Sequence, residues 1–221
     1  QDSIEIKQMT AKEEDILTSR TLLKKGVAID RLIESIIVNK SIDPKTLLMG
    51  DRNAIIIASR VSGYGSEYTT EVTCPACSTK QTHSFNLNDS RIESGTFKED
   101  LGVTDNGDGT FTCVLPKTEV TVVARLLTGV EEKKVTNVAN SNSVISTQLE
   151  NIIVSVNGDS STQAIQYVAN NLPSFDSRHL RMVLRMATPN VDLTQQFSCS
   201  ECGHTQEMEV PLTADFFWPD R

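Results

Sequence analysis

Four of the five cysteines stand in two copies of one short pattern. The first copy runs Val72-Thr73-Cys74-Pro75-Ala76-Cys77-Ser78-Thr79-Lys80-Gln81, and the second runs Phe197-Ser198-Cys199-Ser200-Glu201-Cys202-Gly203-His204-Thr205-Gln206. Each sets an apolar residue and a spacer before Cys-x-x-Cys, and a polar turn ending in Gln after it. A tight turn after the first Cys aims backbone N–H groups at the thiolates, and two thiolates from one turn span two corners of a tetrahedron. Two such turns fill all four corners, so Cys74, Cys77, Cys199 and Cys202 are expected to share one Zn2+. No corner is left for a catalytic water, and the expected site is therefore structural. His204 becomes a ligand only if one of the cysteines is not. A redox Cys-x-x-Cys wants an exposed thiol at a helix N-terminus. Here both pairs lie between strand patterns. The fifth cysteine, Cys113, sits in an alternating strand pattern with Phe111 and Leu115 and is expected to be a buried apolar filler.

The elements that must position these turns follow from local pattern. Strands are expected over residues 68–73 and 81–87 around the first turn, and over 191–198 and 205–210 around the second. A short strand over 3–9 precedes a helix over 11–25, started by the capping box Thr10-Ala11-Lys12-Glu13 and closed by Gly26. Its candidate core contacts are Ile16, Leu17 and Leu23. A second helix over 28–39 has Leu32, Ile33, Ile36 and Ile37 on one face. Asp43-Pro44 reads as a cap and first helical position, and Asp51 as the cap of a third helix over 52–61, which Gly63-Tyr64-Gly65 ends. A polar connector covers 88–98. Asp105-Asn106-Gly107-Asp108-Gly109 is a turn and lacks the ligand spacing of a calcium loop. It leads into a hairpin of strands 110–115 and 118–127. Helices are expected over 130–139, 144–156, 162–171 and 175–186. The amphipathic stripe of the second comprises Ile145, Leu149, Ile152 and Val156. In the last, Leu180, Val183 and Leu184 point inward.

The remaining chemistry is sparse. No G-x-S-x-G, P-loop or H-E-x-x-H pattern is present, Ser177-Arg178-His179 reads as a partly exposed polar face, and His83 reads as a surface residue on a strand. The acidic run after Lys12 suits a helix N-terminus. An enzyme is not expected. The net charge of −8 argues against a general nucleic-acid binder, since no Lys/Arg surface surrounds either cysteine turn. No apolar run is long enough to span a membrane, and no basic stretch followed by an apolar run marks a secretory signal. Cysteine pairs of this spacing in a long chain fit metal in a reducing compartment better than disulfides. Aromatics are only 5% of the chain, yet Phe216, Phe217 and Trp218 cluster near its end. They either fold back onto the cysteine strands or anchor a neighbouring subunit.

The segments Met9-Thr10-Ala11-Lys12-Glu13-Glu14-Asp15-Ile16-Leu17, Ile42-Asp43-Pro44, Leu48-Met49-Gly50-Asp51-Arg52 and Tyr64-Gly65, ahead of Cys74-Pro75-Ala76-Cys77, together resemble the base-plate hub protein family of T-even-like contractile-tailed phages. The resemblance lies mainly in residues 3–88. It implies a structural role in the virion, at or near the hub of the tail baseplate, in multiple copies of a symmetric assembly put together in the host cytoplasm. The implied partners are other baseplate and tail proteins, with no catalytic residue to carry over. Two alternatives stand beside it: a transient assembly chaperone, and a zinc-ribbon nucleic-acid-binding protein.

The expected fold is α+β. Mostly helical subdomains surround a small antiparallel zinc ribbon formed by the two Cys-x-x-Cys knuckles, with a β-hairpin added. The expected division is an N-terminal helical region over 1–66, ribbon halves over 67–88 and 190–212, an inserted hairpin and helical body over 89–189, and an aromatic tail over 213–221.

Overall fold

Ser19 divides what the apolar spacing presents as one N-terminal helix. In the computed structural model, which describes residues 3–97, 99–129, 144–211 and 214–217, Ser19 is extended and its hydroxyl accepts a hydrogen bond from Leu22 N at 3.4 Å. Serine competes with the helix for its own backbone groups, so α1 (Ala11–Thr18) ends there and α2 (Arg20–Lys24) starts anew. The break shifts the helical phase: Leu17 is buried, whereas Leu23, expected inside, is half exposed. The capping contact forms as expected, with the Glu13 carboxylate accepting from Thr10 N at 3.0 Å. α3 (Ala28–Ile36) buries Leu32, Ile33 and Ile36. It stops short of the expected end because Ile37 turns extended and bridges Ile6, while Val38 N donates to the Glu5 carbonyl at 3.0 Å.

Asp43-Pro44 starts no helix. It forms a turn whose Pro44 carbonyl accepts from Arg52 at 3.0 Å. The helix begins later, as α4 (Met49–Tyr64), with Asp51 inside its first turn. Gly50 is required there: a Cβ at this position would collide with the Pro189 backbone carbonyl.

Backbone proximity divides the chain into two units. The first comprises Gln1–Pro44, Arg52–Glu93 and Val191–Arg221. It holds the N-terminal helices and two antiparallel hairpins. In one, β1 (Glu67–Thr73) pairs with β2 (Lys80–Asn86); in the other, β9 (Thr194–Ser198) pairs with β10 (Thr205–Glu209). Two short strands, β3 (Arg91–Glu93) and β8 (Asn190–Asp192), form a further pair. β3 lies inside the expected connector. β8 and β9 divide the expected strand 191–198, because the Asp192 carboxylate accepts from Thr194 N at 2.8 Å and turns the chain.

Arg60, on α4, is fully buried in this unit. Its guanidinium donates to the carbonyls of Phe216 at 2.5 Å, Gly65 at 2.7 Å and Glu67 at 3.2 Å. A buried cation needs such acceptors, and these three tie the end of the chain to α4 and β1.

The second unit comprises Lys45–Asp51 and Ser94–Asn190. The expected hairpin is present as β5 (Thr110–Val114) and β6 (Thr121–Arg125), but it is the middle of a four-stranded antiparallel sheet. β4 (Val103–Asp105) and β7 (Ile153–Val156) flank it. The described part of the body thus holds more sheet than expected. β7 replaces the last turn of the helix expected over 144–156, so α5 is Val144–Ile152. The run Ile153-Val154-Ser155-Val156 is rich in β-branched residues, which fit a pleated surface, and the free edge of β6 supplies the backbone partners. α6 (Thr162–Asn171) and α7 (Ser174–Ala187) complete the unit. Phe111, Cys113, Leu115, Ile152, Leu180 and Val183 lie in one core. The expected helix over 130–139 lies outside the described residues.

Asp176, in the first turn of α7, is fully buried. Its carboxylate accepts from Lys117 N at 2.9 Å, Thr118 N at 3.0 Å and the Thr118 hydroxyl at 2.7 Å, clamping the turn between β5 and β6. The chain is therefore a mixed helix and antiparallel-sheet, or α+β, protein. No described helix is long and apolar enough to cross a membrane.

Candidate metal centre

Each cysteine pair sits at the tip of a hairpin, and the two tips share one backbone construction. Cys74 N donates to the Thr79 carbonyl at 2.9 Å, and Ser78 N donates to the Cys74 carbonyl at 2.8 Å. In the second tip, Cys199 N donates to His204 O at 2.8 Å and Gly203 N to Cys199 O at 3.0 Å. The residue after the second cysteine is left-handed in both, with φ of 60° at Ser78 and 69° at Gly203. The repeated sequence pattern is thus a repeated turn.

The tips meet. The Sγ atoms of Cys74, Cys77, Cys199 and Cys202 all lie within 4.8 Å of one another. Across the tips, Cys74 Sγ is 3.8 Å from Cys202 Sγ, and Cys77 Sγ is 3.7 Å from Cys199 Sγ. Zinc-thiolate bonds of about 2.3 Å place tetrahedral sulfurs about 3.8 Å apart, so the cluster has the dimensions of a metal cage. A disulfide needs a sulfur separation of about 2.05 Å, and all four cysteines are free thiols. In each tip the first cysteine is buried and the second exposed.

The electrostatics favour a cation. Hydrogen bonds from Thr79, side chain and backbone, pull the Cys77 thiol down to about 6, and Cys202 and Cys74 add to this. A backbone hydrogen bond at His204 lowers the Cys202 thiol, but its sulfur neighbours, Cys77 foremost, outweigh it and push that thiol up to about 12. Cys77 is thus held toward its thiolate while Cys202 is held toward its thiol, as expected where thiolates would crowd together. A divalent cation removes that conflict and lets all four ionise.

Side-chain amides hold the two hairpins together. Gln81 Nε2 donates to the Ser198 carbonyl at 3.0 Å, and Gln81 Oε1 accepts from Ser200 N at 3.0 Å. At the other end, Gln195 Oε1 accepts from Asn86 N at 3.1 Å and Gln195 Nε2 donates to Asn86 O at 2.7 Å. His83 lies edge-on to Phe85 and Phe197, with ring centroids 4.7 and 5.3 Å away. It is half-buried between aromatic rings, not the surface residue that its strand position implied. His204 Nε2 lies 3.4 Å from Gln206 Oε1, and His204 is not part of the sulfur cluster.

The aromatic tail folds inward where it is described. Phe216 and Phe217 are buried, Phe216 packs edge-on to Tyr68 with centroids 5.2 Å apart, and Tyr68 donates its hydroxyl proton to Pro211 O at 3.0 Å. Trp218 lies outside the described residues. Cys113 is buried in the second unit, where burial and then the Asp176 charge push its thiol up to about 11. Ser177, Arg178 and His179 do not form one polar face: Ser177 is buried, Arg178 is exposed, and His179 Nε2 is 3.2 Å from Leu101 O.

Sequence reading located the four sulfurs but missed Gln195, Asn86, Arg60 and Asp176. Gln81 stood in the motif without a role. Each of these gains at least one partner from a distant part of the chain, and local pattern carries no signal for that.

A family model described as "T4 bacteriophage base plate protein" matches the chain over residues 1–110 and 108–217. The similarity thus extends well beyond the N-terminal motifs. No curated protein and no solved structure matches.

Proposed function

The chain belongs to the T4 bacteriophage base plate protein family, and from that premise we propose that it is a structural component of a contractile phage tail baseplate, at or near the hub. The observation that carries this reading is the family match across nearly the whole chain. Its work is docking against other baseplate and tail proteins, in several copies, with its acidic surface facing basic patches on partners. It catalyses no reaction.

The four-cysteine cluster holds one Zn2+ in this reading. Cys74 and Cys77 supply one pair of thiolates, and Cys199 and Cys202 the other. The geometry that supports it is the set of sulfur separations, close to tetrahedral edges. With four protein ligands the ion is a structural clasp. The hairpins 67–86 and 194–209 are the halves of a zinc ribbon. Phe216 and Phe217 brace that ribbon from within the first unit, and a partner contact at the tail falls to Trp218.

Mass spectrometry of purified phage particles tests the role. The chain is expected in mature virions at a constant ratio to known baseplate components. Its presence in assembly intermediates and absence from mature particles would replace the structural role with that of an assembly chaperone. Tight binding to DNA at moderate salt would favour a nucleic-acid role, which the net charge of −8 opposes.

A further inference from the structure

The two cysteine turns are equivalent in sequence and backbone, but they are not equivalent in what holds them. Gln81 and Gln206 occupy the same place in their copies, each seven residues after the first cysteine. Gln81 crosses to the other hairpin, donating to Ser198 O and accepting from Ser200 N, with the Ser200 hydroxyl also donating to its Oε1 at 3.2 Å. Gln206 stays within its own hairpin, where its Oε1 lies beside His204. The partners of Gln81 flank Cys199 on both sides in sequence. The hairpins remain separate two-stranded sheets among the described residues, so no backbone ladder sets the spacing between the tips. The Gln81 amide spans that gap next to the sulfurs, and Gln195 spans it at the far end.

We infer that Gln81 is a positioning residue for the metal, fixing the Cys199 turn against the Cys74 turn so that four thiols are assembled before an ion arrives. This rests on the zinc reading above. Groups that orient ligands from outside the coordination shell tune metal affinity, and losing one weakens it by ~10–100-fold. Preorganisation acts here by lowering the ordering cost of binding. Gln195 lies away from the cysteines and braces the hairpins without setting the sulfur geometry.

The test uses the full chain, with Zn2+ titrated against a chromophoric chelator and thermal unfolding of the metal-free form measured alongside. Gln81→Ala is expected to weaken zinc by ~10–100-fold, while Gln206→Ala binds like wild type. Gln195→Ala is expected to lower the metal-free melting temperature without a comparable loss of affinity. Ser200→Pro provides a second route. Proline is already accepted at the equivalent position, Pro75, and the change removes both donors that Gln81 Oε1 accepts from, the Ser200 N–H and its hydroxyl. It should weaken zinc in the same direction, and the double variant Gln81→Ala/Ser200→Pro should be no weaker than Gln81→Ala alone. Should Gln81→Ala fail to fold, the Ser200→Pro and Gln206→Ala pair decides the matter. Wild-type affinity in Ser200→Pro or Gln81→Ala, or an equal loss in Gln206→Ala, overturns the role of Gln81 and leaves the zinc site standing. A wild-type chain that binds no zinc overturns the zinc reading and this role with it.

Discussion

Ser78 adopts a left-handed conformation that its counterpart Gly203 adopts with no side chain to strain it. For a residue with a Cβ this conformation costs roughly 1–2 kcal/mol, and the hydrogen bond from Ser78 N to Cys74 O is part of what holds it there. Ser78→Gly should therefore raise the unfolding free energy by about 1 kcal/mol, less the extra freedom that glycine gains in the unfolded chain. Gly203→Ser should lower it by a similar amount. Urea denaturation of the metal-loaded chain reads both, and opposite signs are required. At this scale the four clustered cysteines were legible because Cys-x-x-Cys is a local device whose spacing encodes its own turn. The difference between Gln81 and Gln206 was not legible, because it depends on which strand of each hairpin faces the other.

The elements were readable where periodicity was long and uninterrupted. α6 and α7 fall where their apolar spacing and flanking breaks put them. The misread places are those where a second element competes for the same residues: Ser19 as cap rather than helix interior, Ile37 drawn out to Ile6, and β7 drawn out of a helix by the edge of β6. Asp176 works at the same scale, joining α7 to the hairpin turn. Burial opposes its ionisation, but the hydrogen bonds from Thr118 and Lys117 outweigh that and hold its carboxyl below the usual range, and the nearby His179 adds to this. The folded state therefore binds this proton more weakly than the unfolded state does. The resulting stability is present above the unfolded value of about 3.9 and is lost as pH falls through the lower folded value. Glu13 behaves alike in the first unit. Burial opposes it, and hydrogen bonds from Ser35, Thr10 and Lys7 prevail. Asp176→Ala should cost about 2–3 kcal/mol at neutral pH, since charge-assisted hydrogen bonds are lost and two N–H donors are left without their partner. The cost should shrink as pH falls below about 4. Denaturation midpoints of wild type and variant at neutral and acid pH measure it, and a cost that does not change with pH would remove the charge from the explanation.

At the scale of the molecule, the cysteine tips draw together segments 122 positions apart in sequence. Closing a loop of that length in the unfolded chain is worth about 4–5 kcal/mol by analogy with a disulfide. The proposed clasp would give a multi-segment unit a rigidity that its hairpins, each only two strands wide, lack alone. That suits the proposed role of holding surfaces in register within a baseplate. Composition and motifs were enough to reach the α+β class, the cysteine cluster and the family, because each is written locally or in bulk. The four-stranded sheet was not, since its outer strands are defined by the partners they find. Zinc content measured on purified chains tests the central claim most directly, in wild type and in Cys74→Ser and Cys199→Ser. One zinc per wild-type chain, with each single substitution releasing it and lowering stability, is the expected result. Full zinc occupancy in both variants would show that the two turns do not share one ion, and would contradict the clasp.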